Sequence, residues 1–179
     1  MLQGDYAAVL QSGSRDDFRR EVVRFAQRLG FDTVAAISVV DIGLNRSETV
    51  AVHNAPAGYE ESISSMPAGR RDPVMQHCRR HSVPIVWDQQ TYTRAGLGEL
   101  WEEQARFGYC TGIAMALHLP QGRHFALGVE RDQPLPADRA ELTRIVADLQ
   151  LFAVHALDAA TRVLSPGPAI GERPSLTPR

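Results

Sequence analysis

An aspartate followed by a proline, Asp72-Pro73, and an indole fifteen residues on, Trp87, bracket the stretch RRDPVMQHCRRHSVPIVWD at residues 70 to 88. Two arrangements suit these residue types. Asp before Pro is a common helix start: the carboxylate accepts from free backbone N–H groups and the proline presets the first helical φ. Trp87 would then fill the core, as large aromatics usually do. Alternatively, acid and indole face a shared cavity and hold a small molecule, since a buried carboxylate needs donors. The same stretch sets His77 and His81 one helical turn apart with Cys78 between them, all zinc-ligand types. No Cys-x-x-Cys pair completes such a set and Cys78 falls on a different helix face, so neither a metal nor another cofactor is expected. The chain carries no Gly-x-Ser-x-Gly elbow, P-loop or Gly-x-Gly-x-x-Gly fingerprint, and Asp72 has no evident base or nucleophile beside it. Enzymatic chemistry is therefore not expected.

Composition narrows the remaining choices. A chain of 179 residues suits one domain, and 44% apolar residues are enough to bury a core. With 19 basic and 21 acidic side chains the net charge is -2, which argues against nucleic-acid binding by bulk electrostatics. No apolar run approaches the roughly 18 residues needed to span a bilayer. The segment MLQGDYAAVLQSGSRDD lacks the positive and then apolar regions of a signal peptide. Cys78 and Cys110 are too few for a disulfide scaffold and read as free thiols, so a cytoplasmic setting is expected.

Periodicity supplies the elements that must position the acid and the indole. Ser14 with Asp17 reads as a capping box opening a helix whose stripe is Phe18, Val22, Phe25, Ala26 and Leu29, ended by Gly30. A shorter helix is expected before it around Tyr6 and Val9. TVAAISVVD (33–41) and TVAVHN (49–54) read as paired strands across the turn GLNRSE. Short helices are expected over 56–66 and from Asp72 to about His81, then a strand at 83–87. A helix over 98–108 has one wide face of Leu100, Trp101, Gln104, Ala105 and Phe107. GIAMALHL and RHFALGVE form a hairpin; in the second strand Phe125, Leu127 and Val129 oppose Ala126, Gly128 and Glu130. A long helix from about 137 to 164 carries an apolar stripe broader than one core contact requires, which points to a homodimer contact. The fold class expected is α/β: an α/β/α sandwich around about five antiparallel strands. Small residues on the strands (Ala35, Ala51, Ala114, Ala126, Gly128) would leave room for a ligand between sheet and helices.

Three segments, DPVMQHC, PIVWD and LWEEQARFGYCTGIAMALHLPQG, taken in that order, resemble the autoinducer-binding domain of LuxR-type quorum-sensing regulators. The likeness covers roughly residues 15 to 165. The terminal SLTPR resembles the opening of the helix-turn-helix domain of such regulators. The resemblance implies a ligand-binding domain over 1–165 and a linker over 166–179 leading to a DNA-binding half outside this chain. It implies an N-acyl-homoserine lactone or a related small signal as ligand, and Asp72 as acceptor for the ligand amide N–H. Trp87 would line the lactone pocket, and Tyr59 would replace the second indole that donates to the lactone carbonyl. Two hydroxyls usual in the family are missing, at Ala55 and Ile63, which would enlarge and dry the pocket near the acyl carbonyl. Val74, Tyr92, Leu100, Ala114 and Gly128 are the further pocket positions implied. Whether Tyr59 faces pocket or surface stays open. The implied partners are a small autoinducer, a second copy through the long helix, and DNA through the missing half only. A solo receptor for a non-lactone signal, or a regulator that folds without ligand, is the alternative.

Overall fold

Alternation along RHFALGVE decides which side of the sheet carries the bulk of the core. The computed structural model describes residues 4–43, 46–67 and 71–164. Its elements run α1 (Asp5–Leu10), α2 (Arg15–Arg28), β1 (Thr33–Gly43), β2 (Arg46–His53), α3 (Tyr59–Ser65) and α4 (Pro73–Arg80). They continue with β3 (Ile85–Trp87), α5 (Gln89–Arg94), α6 (Gly98–Ala105), β4 (Thr111–Leu119), β5 (Arg123–Arg131) and α7 (Arg139–Val163). The five strands form one sheet in the order β2-β1-β5-β4-β3, every neighbouring pair antiparallel.

Residues directly opposite one another point to the same face. One face therefore carries Val34, Val129 and Ile113 in one row and Val52, Ala36, Leu127 and Met115 in the next. Against it pack Phe18, Val22, Phe25 and Ala26 of α2 and Leu149, Phe152, Ala153 and Ala156 of α7. Phe25 and Phe152 stack with centroids 3.7 Å apart. Each fully buried Val, Leu or Phe side chain here contributes about 1.5–3 kcal/mol, so this layer holds the fold together. Much of the breadth of the α7 stripe is thus spent on the core, while Leu151 and Val154 remain exposed.

The opposite face is small-residue in character. Its rows are Thr33, Glu130, Gly112 and Trp87; then His53, Ala35, Gly128, Ala114 and Ile85; then Ala51, Ile37, Ala126 and Ala116. A second cluster of Val74, Cys78, Trp87, Tyr92, Leu97, Leu100, Tyr109, Ala114 and Ala116 gathers here, built from the α3–α6 segment. The layers are helices, sheet, helices, the α/β/α sandwich with five antiparallel strands expected from the sequence.

Two local expectations need correction. Ser14 Oγ accepts from Asp17 N–H at 3.1 Å, and the Asp17 carboxylate pairs with Arg20 at 2.7 Å, so no reciprocal box is closed there. The reciprocal box sits instead at Asp88 and Thr91, opening α5, a helix the periodicity does not reveal. Its sequence QQTYTR holds one apolar residue in six, too few to show a helical stripe. The domain boundary near 165 and the linker 166–179 lie outside the described residues. No helix among the described residues is long and apolar enough to cross a membrane.

Candidate ligand-binding site

Asp72 begins α4, and its two oxygens divide their work. Oδ1 accepts from the backbone N–H groups of Val74 at 2.8 Å and Met75 at 3.0 Å, the capping role that Asp-Pro suggests. Oδ2 looks away from its own helix: it accepts from the Tyr92 hydroxyl and from Gln104 Nε2, both at 3.1 Å. The side chain is 6% exposed, so these four donors replace its hydration. Tyr92 is brought by the short helix α5 and Gln104 by α6, so one carboxylate ties three helices together.

Trp87 ends β3, the edge strand, and pairs with Gly112 of β4. A Cβ on Gly112 would stand 2.7 Å from two indole carbons and 2.5 Å from Val129 O, so only glycine lets the ring lie flat on the sheet. The ring also meets Tyr92 edge-on, centroids 5.7 Å apart. Its Nε1 is buried and has no hydrogen-bond partner, and Gln104 Oε1 is in the same position. Buried polar atoms are usually satisfied, so these two have hydrogen-bonding capacity to spare.

These residues border a cavity of about 250 Å³ lined by Tyr59, Ile63, Asp72, Val74, Met75, Trp87, Tyr92, Gln104, Tyr109 and Glu130. A second space of about 440 Å³ adjoins it at Met75, between α4 and the strand residues Ile37, Val39, Ala116 and Ala126. Tyr59 is half-buried: its ring stacks on Tyr109 at 4.0 Å and meets Phe107 edge-on. That contact answers the orientation left open by the sequence, since it holds Tyr59 on the cavity wall. Burial raises the phenol pKa of Tyr59, Tyr92 and Tyr109 well above the ordinary value, which keeps all three as hydroxyl donors. Burial also pushes the Cys78 thiol up to about 11.

Six of the ten implied positions line the cavity: Asp72, Trp87, Tyr59, Val74, Tyr92 and Ile63. The other four lie beside it. Leu100 is fully buried in the helix-side cluster, and Ala114 lies in the same cluster on β4. Gly128 is on the sheet floor under Glu130, and Ala55 packs at the cluster's margin with its N–H on His53 Nδ1 at 3.3 Å. Four wall residues escape the sequence reading: Met75, Gln104, Tyr109 and Glu130. Two had a signal, Gln104 as the polar member of an apolar helix face and Glu130 as an acid on the small-residue side of β5.

Glu130 is the second acid of the wall. Thr33 Oγ1 donates to its Oε2 at 3.2 Å, and its Oε1 lies 2.8 Å from where a Gly128 Cβ would be. Burial, with the Asp72 charge adding, pushes its carboxyl up to about 8 despite the Thr33 hydrogen bond. His77 and His81 rings sit 4.9 Å apart, with His77 Nε2 against Val83 O at 2.7 Å. No group of three or more His, Cys, Asp and Glu among the described residues could hold a metal ion.

Residues 14–160 match the family model described as autoinducer binding domain. The chain is 26% identical over 110 residues to the transcriptional activator protein AnoR of Acinetobacter nosocomialis, covering 62% of this chain and 46% of that one. It is 21% identical over 148 residues to the transcriptional activator protein AhyR of Aeromonas hydrophila, covering 79% and 55%. It therefore spans about half the length of these relatives. The fold superposes on CepR2 of Burkholderia cenocepacia, an N-acylhomoserine lactone dependent LuxR family transcription factor, with TM-score 0.76 at 21% identity, covering 90% of this chain and 94% of that one. It superposes on SdiA in complex with octanoyl-rac-glycerol with TM-score 0.72 at 20% identity, covering 90% and 68%. The chain belongs to the autoinducer binding domain family, the sensing module of LuxR-type transcriptional regulators rather than an enzyme.

Proposed function

We propose that this domain binds an N-acyl-homoserine lactone or a related small amphiphile in the cavity bounded by Asp72, Trp87 and Tyr59, and passes occupancy on as folding, dimerisation and DNA binding. The observation that carries the reading is the pair of orphaned polar atoms, Trp87 Nε1 and Gln104 Oε1, on residues that line the 250 Å³ cavity. Trp87 N–H suits a ligand carbonyl, and the Ile37, Val39, Ala116 and Ala126 side of the space past Met75 suits an acyl tail. A ligand amide N–H would reach Asp72 Oδ2 by displacing Tyr92 or Gln104 from it. CepR2, which is N-acylhomoserine lactone dependent, and SdiA in its complex with octanoyl-rac-glycerol support a guest of this general shape. Binding to the folded state alone stabilises it by about 2.7 kcal/mol at a ligand concentration 100 times Kd, enough to shift a marginal fold. The dimer contact is assigned to α7 around the exposed Leu151 and Val154, and DNA reading to a helix-turn-helix half outside this chain.

One observation favours a second reading, a receptor for a non-lactone signal that folds without ligand. Asp72 already has four protein donors, so its carboxylate does not depend on a ligand for partners. Thermal unfolding with and without a panel of acyl-homoserine lactones separates the two. A saturable rise in Tm with at least one lactone supports the first, and a well-folded chain indifferent to all of them supports the second.

A further inference from the structure

The wall's hydrogen-bonding capacity is lopsided, and the asymmetry carries information about the guest. A carboxylate offers about four lone-pair positions, and protein donors already occupy four on Asp72. Acceptor capacity is left on Gln104 Oε1, which is buried without a partner, and on Glu130, whose Oε2 accepts from Thr33. Glu130 and Trp87 share one row of the sheet on either side of Gly112, with the indole ring over that glycine and Glu130 Oε1 over Gly128, so acceptor and donor stand on the same wall. Four aromatic rings, Tyr59, Trp87, Tyr92 and Tyr109, complete the wall. Among the described residues its titratable members are Asp72, Glu130 and the three phenols, and no Lys, Arg or His lines the cavity.

We infer that the guest's head group carries a protonated amine, seated on Glu130 Oε1 and Gln104 Oε1 against the aromatic wall, with a neighbouring carbonyl accepting from Trp87 Nε1. The inference rests on the reading of this cavity as the ligand site and, within the small amphiphiles proposed above, favours an amine head group over a lactone. An ammonium brings three donors and no acceptor, which matches a wall rich in acceptors and poor in cations. Tyrosine and tryptophan faces add cation–π attraction. Glu130, held up near 8 by desolvation and by Asp72, gives up its proton to solvent when a cation arrives beside it.

The test is calorimetric titration at pH 7 with three octanoyl amides that share a tail: those of homoserine lactone, ethanolamine and ethylenediamine. The ethylenediamine amide is expected to bind about tenfold tighter than the other two or better, the low end for a charge-assisted hydrogen bond. Repeating it in buffers of different ionisation enthalpy should show proton release for that ligand and none for the lactone. Glu130→Gln is expected to erase both the preference and the proton release. Gly128→Ala supplies an independent variant, because its Cβ at 2.8 Å displaces the Glu130 oxygen while its next contact, Ala114 Cβ at 3.8 Å, is ordinary. Equal or tighter binding of the lactone or ethanolamine amide, or a preference that survives in both variants, overturns the inference while leaving the cavity a ligand site. Failure of all three amides to bind overturns the inference and the site together.

Discussion

Replacing Asp72 by serine separates the two jobs of its carboxylate. Serine caps a helix about as well as aspartate, so the bonds to Val74 and Met75 N–H have a substitute and α4 keeps its start. What disappears is Oδ2, the acceptor shared by Tyr92 and Gln104. A hydrogen bond to a charged group contributes about 1.5–3 kcal/mol net, and both donors would be stranded in a buried site. Tyr92 and Gln104 converge on one atom and can partly satisfy each other, so the two losses do not add fully; about 2–4 kcal/mol is the expected cost. At about 2–4 °C per kcal/mol for a chain of this size, Tm should fall by roughly 5–12 °C. Asp72→Asn is expected to be milder. Gln104 can turn its amide and the Tyr92 hydroxyl can rotate, so that both accept from the new NH2 group. Urea unfolding followed by circular dichroism gives both free energies, and the predicted order is wild type, then Asn, then Ser. A serine variant within about 1 kcal/mol of wild type would mean the carboxylate is only a cap, and an asparagine variant worse than serine would contradict the network geometry.

Three further outcomes follow from the same structure. Gly112→Ala puts a Cβ 2.5 Å from Val129 O and 2.7 Å from the Trp87 ring, so the indole must leave the sheet; a loss of about 2–3 kcal/mol in urea unfolding is expected, with ligand binding abolished, and wild-type stability would refute the contact. Glu130 has a folded-state pKa raised from its ordinary 4.5 to about 8, so its contribution favours the fold at low pH and is lost as pH rises through that window. Glu130→Gln should therefore gain on wild type between pH 5 and 9, by at most about 5 kcal/mol and less where water reaches the cavity, while a constant difference across that range would contradict the assignment. Charging the exposed apolar pair of α7 with Leu151→Lys and Val154→Lys should leave the monomer folded and weaken self-association in sedimentation velocity; an undiminished dimer would move the interface elsewhere.

How far the sequence could be read depended on the kind of force involved. Strands and long helices were legible because burial imposes a period: Phe125, Leu127 and Val129 on one side of β5, Phe18, Val22 and Phe25 on one side of α2. α5 was not, because a capping box and one buried tyrosine fix it, and neither leaves a repeat over six residues. Asp72 and Trp87 were legible through the family pattern, and their pairing in one cavity bears on a choice that residue types alone left open. Gln104 and Glu130 were missed because polar side chains reach the wall through contacts between distant elements: Gln104 with Asp72 across 32 residues, Glu130 with Thr33 across 97. Leu100 and Ala114 show the converse, positions near the site in sequence pattern whose side chains are committed to packing.

The two tryptophans offer the most direct measurement. Trp101 Nε1 already donates to Cys110 O at 2.9 Å, whereas Trp87 Nε1 is buried without a partner on the cavity wall. A 15N-labelled sample shows each indole N–H as its own cross-peak, assigned by Trp101→Phe. If the cavity is the ligand site, titration with an octanoyl amide that raises Tm shifts the Trp87 peak downfield and leaves the Trp101 peak in place. A stabilising ligand that moves the Trp101 peak, or neither, would show that the guest sits somewhere else.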